Sequence, residues 1–357
     1  MQGTKKAFSY GCLLGVAVMS AQHRETMHYS TPKYNTFEAP GASLGTYPES
    51  INEPGAIAGW YSAPNQQHGF LRAPDGTFTA IDAPGAVYTV AESINDAGTV
   101  AGSYQDAHYL YHGFRRAANG GYAEFDAPGA GTVDGSGQGT FARSINAGGA
   151  VAGDYVDANY VHHGFLLAAD GTISTFDGPG AGTGLYQGTN AFSINTAGTI
   201  AGSYSDTTNG SHGFLRSPGG TIAVFDVAGS TSTNALCINA KGAVAGYYIG
   251  ADGKFHGFVR ASGGAITSFD GPGAGAKGNS GTSAAGINTH GDIVGYYSTD
   301  TTDDHGFVRA PGGKIVTLNA PGAIPGGTFA QAIDTVGMVA GSYYDANDVV
   351  HGFVLVP

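Results

Sequence analysis

The apolar and polar positions of this chain recur with one long period. A large apolar Ile precedes an Asn-x-x-Gly turn, small residues lead to a Tyr, a His-Gly-Phe tripeptide follows, and a second Phe stands before an Asp. His-Gly-Phe occurs seven times, beginning at His68, His112, His163, His212, His256, His305 and His351, at spacings of 44 to 51 residues. Each copy follows a segment of the form Ile-Asn-x-x-Gly-x-x-x-Gly-x-Tyr, as in Ile94 to Tyr104, with Asp334 replacing Asn in the last. The local chemistry predicts four strands per repeat. The first ends at Ser-Ile-Asn, and Asn at turn position i with Gly at i+3 favours a type I turn closed by a left-handed Gly. The second strand runs to the Tyr, the third begins at the His, and the fourth ends at Phe-Asp.

Between the third and fourth strands lie dipeptides such as Asp75-Gly76, Asn119-Gly120 and Asp170-Gly171, the chemistry of two-residue hairpin turns. Centring the hairpins there predicts that Phe70 opposes Ile81, Phe114 opposes Phe125 and Phe165 opposes Phe176. It likewise predicts Phe214 opposite Phe225, Phe258 opposite Phe269 and Phe307 opposite Leu318. Four-stranded repeats of this length predict an all-β fold, a seven-bladed β-propeller of four-stranded antiparallel blades. The last repeat stops at Pro357 after its third strand, and the missing fourth appears near the N-terminus, in Thr36 to Gly41. The expected ring is therefore closed by the N-terminal strand completing the last blade, over residues 33–357.

Composition narrows the class. Gly supplies 61 of 357 residues, far above the usual ~7%, which disfavours helices. Twenty Tyr and eighteen Phe provide the core-forming bulk that a disordered chain lacks. The formal net charge of −12 leaves no basic stripe for nucleic acid and no attraction to anionic lipid. Residues 1–21 read as a secretory signal, with Lys5 and Lys6 ahead of an apolar stretch too short to span a membrane, and residues 22–32 as a linker. The expected mature protein is exported, either extracellular or periplasmic, without membrane insertion. Cys12 falls in the signal, so Cys237 is alone, in a slot that is Ser in four other repeats. It reads as a small buried residue.

These motifs resemble the bacterial extracellular repeat proteins named for a His-Ala-Phe tripeptide. The resemblance rests on Ile-Asn-x-x-Gly, a Val-x-Gly-Tyr-like strand and the later His-Gly-Phe, in which Gly replaces Ala throughout. It covers residues 33 to 357 and implies export and a propeller. It brings no catalytic residues.

Function is expected on the face that bears the connections of variable length. The longest are Ala130–Ser144, Ala181–Ser193 and Ala274–Gly286. They carry Asp134, Gln138, Tyr186, Gln187, Asn190, Lys277, Asn279 and Ser280, amides and an aromatic ring suited to a neutral, hydroxyl-rich ligand such as a glycan. The seven repeated His read as structural, bonded to backbone or to loop Asp residues such as Asp106, Asp157, Asp206, Asp300 and Asp345. Residues that break the repeat include Trp60, which reads as packing, and His108 and His162, which are weak metal or acid–base candidates. No catalytic or cofactor motif is present, so no cofactor is expected. Three classes remain: a rigid binding module for a glycan or surface protein, a structural component of a surface or matrix, and a polysaccharide lyase or hydrolase.

Overall fold

A computed structural model describes residues 32–64, 66–275, 280–299 and 303–357. The signal and nearly all of the linker lie outside these residues. Among the described residues there are 28 strands and no helix, which fits seven units of four. Among these residues no helix is long and apolar enough to cross a membrane. The first unit comprises Gly45–Ile51, Ile57–Ala63, Gln66–Arg72 and Phe78–Ile81, paired antiparallel in that order. In the last unit the outer strand is Lys33–Phe37, which pairs antiparallel with Val350–Val356, Phe37 opposite Gly352.

The Asn-x-x-Gly corners form as expected. The Gly98 N–H donates to the Asn95 carbonyl at 2.9 Å, and Gly98 has φ +77°. The outer hairpins differ from expectation by one residue. Gly69, not Phe70, lies opposite Ile81, and Gly113 lies opposite Phe125. The Ala73 N–H donates to the Thr77 carbonyl at 2.8 Å, so the loop holds three residues, Pro74 to Gly76, with only Gly76 at positive φ. Because faces alternate along a strand, the shift places the two large apolar residues of each hairpin on opposite faces. The fourth-strand Phe lies over the Gly of His-Gly-Phe, where a Cβ on Gly113 would come within 2.5 Å of the Phe125 ring.

That arrangement locates the core. The Phe of each His-Gly-Phe is buried, from Phe70 at 1% exposure to Phe353 at 0%. Each faces the unit before it, and burial of such a ring stabilises by roughly 1.5–3 kcal/mol. The hydrophobic clusters therefore sit at the seams between units. Ile81 of the first unit packs with Phe114 of the second, and Ala340 and Val354 of the last pack with Ile51, Ile57 and Phe70 of the first. Edge contacts bind the same seams: Phe125 meets Phe165 at 5.8 Å and Phe37 meets Phe70 at 6.4 Å. Arg72 lies 4.7 Å over Phe37, and Arg216 lies 4.7 Å over Phe176.

The first strand of each unit touches the first strands of its neighbours, Gly45–Ile51 and Thr328–Ile333 included. These strands are innermost. Ile51, Ile94, Ile145, Ile194, Ile238, Ile287 and Ile333 line one cavity of about 250 Å³ at the end where the Asn corners lie. Each first strand also carries a bulge, and the extra residues are Glu49, Glu92, Arg143, Phe192, Leu236, Ala285 and Gln331. A bulge re-aims the side chain at the extra position, and here it sets up the site.

Candidate functional site

Three of those bulged positions are charged, and all three belong to adjacent units. Glu49 accepts from Trp60 Nε1 at 2.9 Å, and Trp60 is stacked on Tyr47 with ring centroids 3.9 Å apart. Arg143 reaches Glu92 at 3.6 Å and donates from Nε to Asp154 Oδ1 at 3.0 Å. Asp154 is fully buried, and its second oxygen meets His162 Nδ1 at 3.0 Å. Asp154 stands where other units have Ser103, Ser203 and Ser342, and Trp60 shares that slot. The result is a charged arc in which Glu92, Arg143, Asp154 and His162 are joined by contacts and Glu49 is coupled to them electrostatically.

Burial and mutual charge set its protonation. Burial first, then the neighbouring Glu92, pushes the Glu49 carboxyl up to about 8, and burial likewise raises Glu92. Burial opposes ionisation of Asp154 too, but Arg143 and His162 outweigh it and hold Asp154 below the usual carboxylate range. Arg143 is held above its ordinary value by Asp154 and Glu92 against the opposing pull of burial. Burial and Glu92 thus favour the protonated form of Glu49, while Arg143 and His162 favour the ionised form of Asp154.

The equivalent positions in the fifth unit are aromatic, and in the sixth they are Tyr296 and Asp304. Tyr247 occupies the slot of Asp154, and Phe255 that of His162. With Tyr296, Gly281, Thr282, Ser283 and Ser298 they line a pocket of about 180 Å³ that includes no charged residue. Tyr247 and Phe255 lie 5.2 Å apart at 52°. The charged arc of the first three units and this pocket of rings and hydroxyls are two separate candidates; His162 and Phe255 each stand at the start of a third strand.

The loop residues singled out from sequence are placed variously. Asp134 is exposed and faces His108 Nδ1 at 3.4 Å. Gln138 is fully buried and its Oε1 accepts from the Val133 N–H, while Gln187 accepts from the Gly184 N–H and donates to Asn209. Both amides therefore hold their own connections. Tyr186 is 66% exposed, at φ +60°, and meets Tyr160 edge to face at 5.9 Å. Asn190 lies on the innermost strand Gly188–Ile194, and Ser280 is buried. Lys277 and Asn279 lie outside the described residues. His108 and His162 have different partners, and among the described residues no three His, Cys, Asp or Glu converge as a metal site.

Six of the seven repeated His bond a side chain fourteen residues on. His68 Nδ1 meets Asp82 at 3.0 Å, His112 meets Asp126 at 3.0 Å, and His163 meets Asp177 at 2.9 Å. His212 meets Asp226 at 2.9 Å, His256 meets Asp270 at 3.0 Å, and His305 meets Asn319 at 3.3 Å. His351 finds Glu38 at 2.9 Å. The expected loop Asp residues take the longer contact, Asp206 and Asp345 each standing 3.4 Å from Nε2. Asp300 lies outside the described residues. Each ring also lies against the Tyr of its own unit, as Tyr155 does on His163 at 4.9 Å. Cys237 is buried, its thiol pushed up to about 12 by that burial.

Sequence reasoning identified Trp60 and His162 as departures from the repeat but missed Glu49, Glu92, Arg143 and Asp154. Comparing the seven copies at the residue two before each Ile would have shown Glu, Glu and Arg against Phe, Leu, Ala and Gln.

No family model matches the chain, and no curated protein matches it in sequence. Solved structures do match in shape. A streptogramin B lyase superposes with TM-score 0.57 at 13% identity, covering 91% of this chain and 98% of that one. Virginiamycin B lyase from Staphylococcus aureus gives 0.58 at 13% identity, covering 91% and 100%. The β-propeller domain of the Trilobed protease from Pyrococcus furiosus gives 0.53 at 8% identity, covering 87% and 95%. Likeness at these identities shows the fold alone. The chain is an all-β protein with a β-propeller fold.

Proposed function

We infer that this propeller is an exported, rigid seven-bladed ring of the His-Ala-Phe repeat type, residues 33–357, that binds a neutral glycan on the face carrying the long connections. One observation carries the reading: the pocket of Tyr247, Phe255 and Tyr296 with Thr282, Ser283 and Ser298. Aromatic faces pack on the C–H surfaces of a sugar, and hydroxyl groups exchange hydrogen bonds with its own. The lining residues themselves are uncharged, with Asp304 bonded behind Ser298, and a preformed concave site lowers the ordering cost of binding. Asp134, Tyr186, Asn190, Lys277 and Asn279 are proposed as further ligand-binding residues of that face, the last two outside the described residues. Export rests on residues 1–21 and on the repeat resemblance.

The test is a panel of neutral oligosaccharides read by thermal shift and calorimetry, with Tyr247→Ala as the site variant. A sugar that raises the thermal midpoint of the parent, and loses at least tenfold in affinity with Tyr247→Ala, supports the reading. Equal binding by the variant, or no shift across the panel, overturns it.

A second reading, a polysaccharide lyase or hydrolase, is favoured by the pair Asp154–His162. Asp154 fixes Nδ1 and leaves Nε2 to accept a proton, while Glu49 holds a proton to donate. Turnover of any bound glycan that persists in His162→Ala excludes that assignment.

A further inference from the structure

At the Asn corners, each unit is tied to the next by one side-chain amide. Asn52 Nδ2 donates to the Asn95 carbonyl at 3.0 Å, Asn95 to Asn146 at 3.1 Å, and Asn146 to Asn195 at 3.1 Å. Asn195 donates to the Asn239 carbonyl at 3.2 Å, Asn239 to Asn288 at 2.8 Å, and Asn288 to Asp334 at 3.0 Å. The Oδ1 of each Asn meanwhile accepts from its own turn, as Asn52 does from the Ala56 N–H at 2.8 Å. Six links join seven units, and the seventh position is Asp334.

Asp334 keeps the accepting half of the pattern, since the Met338 N–H donates to its Oδ1 at 2.8 Å. Its Oδ2 stands in the place of the amide nitrogen. That atom is buried without a hydrogen-bond partner, in a residue only 3% exposed. By the repeat, its partner is the Asn52 carbonyl, which already takes the Gly55 N–H at 2.8 Å as the other corner carbonyls take theirs. A carboxylate has no hydrogen to offer a carbonyl, whereas a carboxylic acid has one. An acceptor left buried and unpaired costs about 1–3 kcal/mol.

We propose that Asp334 is a proton-operated latch at the joint of the last and first units: its protonated carboxyl donates to the Asn52 carbonyl and completes the seventh link, and ionisation opens it. Burial raises the Asp334 carboxyl against the Met338 N–H, and Glu53 raises it further, to about 6. The charged group that acts on it is Glu53 on the corner of the first unit, which accepts from the Thr335 N–H at 3.1 Å and favours the proton. On the corner of the sixth unit, Asp292 accepts from Asn288 Nδ2 at 3.1 Å, the same amide that donates to the Asp334 carbonyl. The folded state thus binds a proton that the unfolded chain, with an ordinary value near ~4, releases. The link is present below that value and is lost as pH rises through about 6. The joint concerned is the one made by the two ends of the propeller chain.

The experiment compares the parent with Asp334→Asn over pH 3.5 to 8 by thermal midpoint. Asn supplies the missing donor at every pH, so the variant is expected to be more stable at pH 8 by roughly 1–3 °C, with the advantage shrinking below pH 6 and vanishing near pH 4, where the folded and unfolded parent both hold the proton. A pH-independent difference, or a variant less stable at pH 8, overturns the latch. The ¹³C carboxyl shift of Asp334 in the folded parent provides an independent readout. A midpoint near 6 supports the proposal, and one at or below 4 sinks it.

Discussion

His351 holds Glu38 at 2.9 Å, the same bond that His163 makes with Asp177 inside one continuous unit. The N-terminal strand thus brings the carboxylate as well as the backbone pairing that the last unit lacks. Phe37 completes the copy. Its ring covers Gly352 as Phe176 covers Gly164, and it carries Arg72 of the first unit at 4.7 Å. Phe37→Ala should therefore cost about 3 kcal/mol, the low end for a large-to-small core change because the ring is partly exposed. Glu38→Ala, at a solvent-accessible pair, should cost under about 1 kcal/mol. Chemical denaturation of both variants checks the ratio. Equal effects would mean that the His bond, not the packing, holds the strand.

The middle residue of the tripeptide can be tested in the same way. A Cβ on Gly164 would come within 2.6 Å of the Phe176 ring, and the blade has no slack there. Gly164→Ala should cost about 1–3 kcal/mol, as overpacking does. At Gly306, Leu318 replaces the aromatic ring and the nearest atom is Thr328 Cγ2 at 3.1 Å. Gly306→Ala should cost about 1 kcal/mol or less. If the two variants melt alike, the ring is not the reason that this chain has Gly where the repeat it resembles has Ala.

That contrast also shows what could be read from sequence. The fourteen-residue spacing from His to Asp, the Asn-x-x-Gly corners and the stray N-terminal Phe37-Glu38 are local signals, and the strand pattern followed from them. The hairpin register was not legible, because Asp-Gly serves both a two-residue loop and a three-residue loop ending in a left-handed Gly. The charged arc was hidden for another reason. Glu49, Glu92 and Arg143 occupy bulges, which disrupt the alternation by which side chains are assigned to faces. Asp154 meets His162 only across paired strands.

The His pairs confer a pH dependence of definite sign. Burial lowers His212, but Asp226 and Asp206 outweigh it and raise its pKa, and Asp270 and Asp252 do the same for His256. A raised His stabilises fully below its unfolded value near ~6.5 and loses that contribution as pH climbs through the folded value. Each pair is partly solvated, so the expected size is about 0.2–1 kcal/mol after screening. His212→Gln and His256→Gln should flatten the decline in thermal midpoint above pH 6.5. A decline unchanged in the double variant would remove these residues as its source.

The charged arc should prove dispensable for folding, provided that it is removed whole. Asp154→Ala alone leaves Arg143 with Glu92 at 3.6 Å and takes away the acceptor of His162. Breaking a buried pair on one side should cost about 3–5 kcal/mol. Other units supply an uncharged version of the same seam, with Ser203 and Ser211 in the slots of Asp154 and His162, and Leu236 in that of Arg143. The triple variant Arg143→Leu, Asp154→Ser, His162→Ser, made on a Glu92→Gln background so that no carboxylate is left without its cation, should lie within about 1 kcal/mol of the parent, because replacing desolvated charges together removes their solvation penalty along with their attraction. Urea denaturation of the single and triple variants decides the matter. Recovery in the triple variant would mean that the arc is kept at a cost to no structural purpose, which is the pattern of a functional site. A triple variant as unstable as Asp154→Ala would make the arc a structural requirement of the third unit.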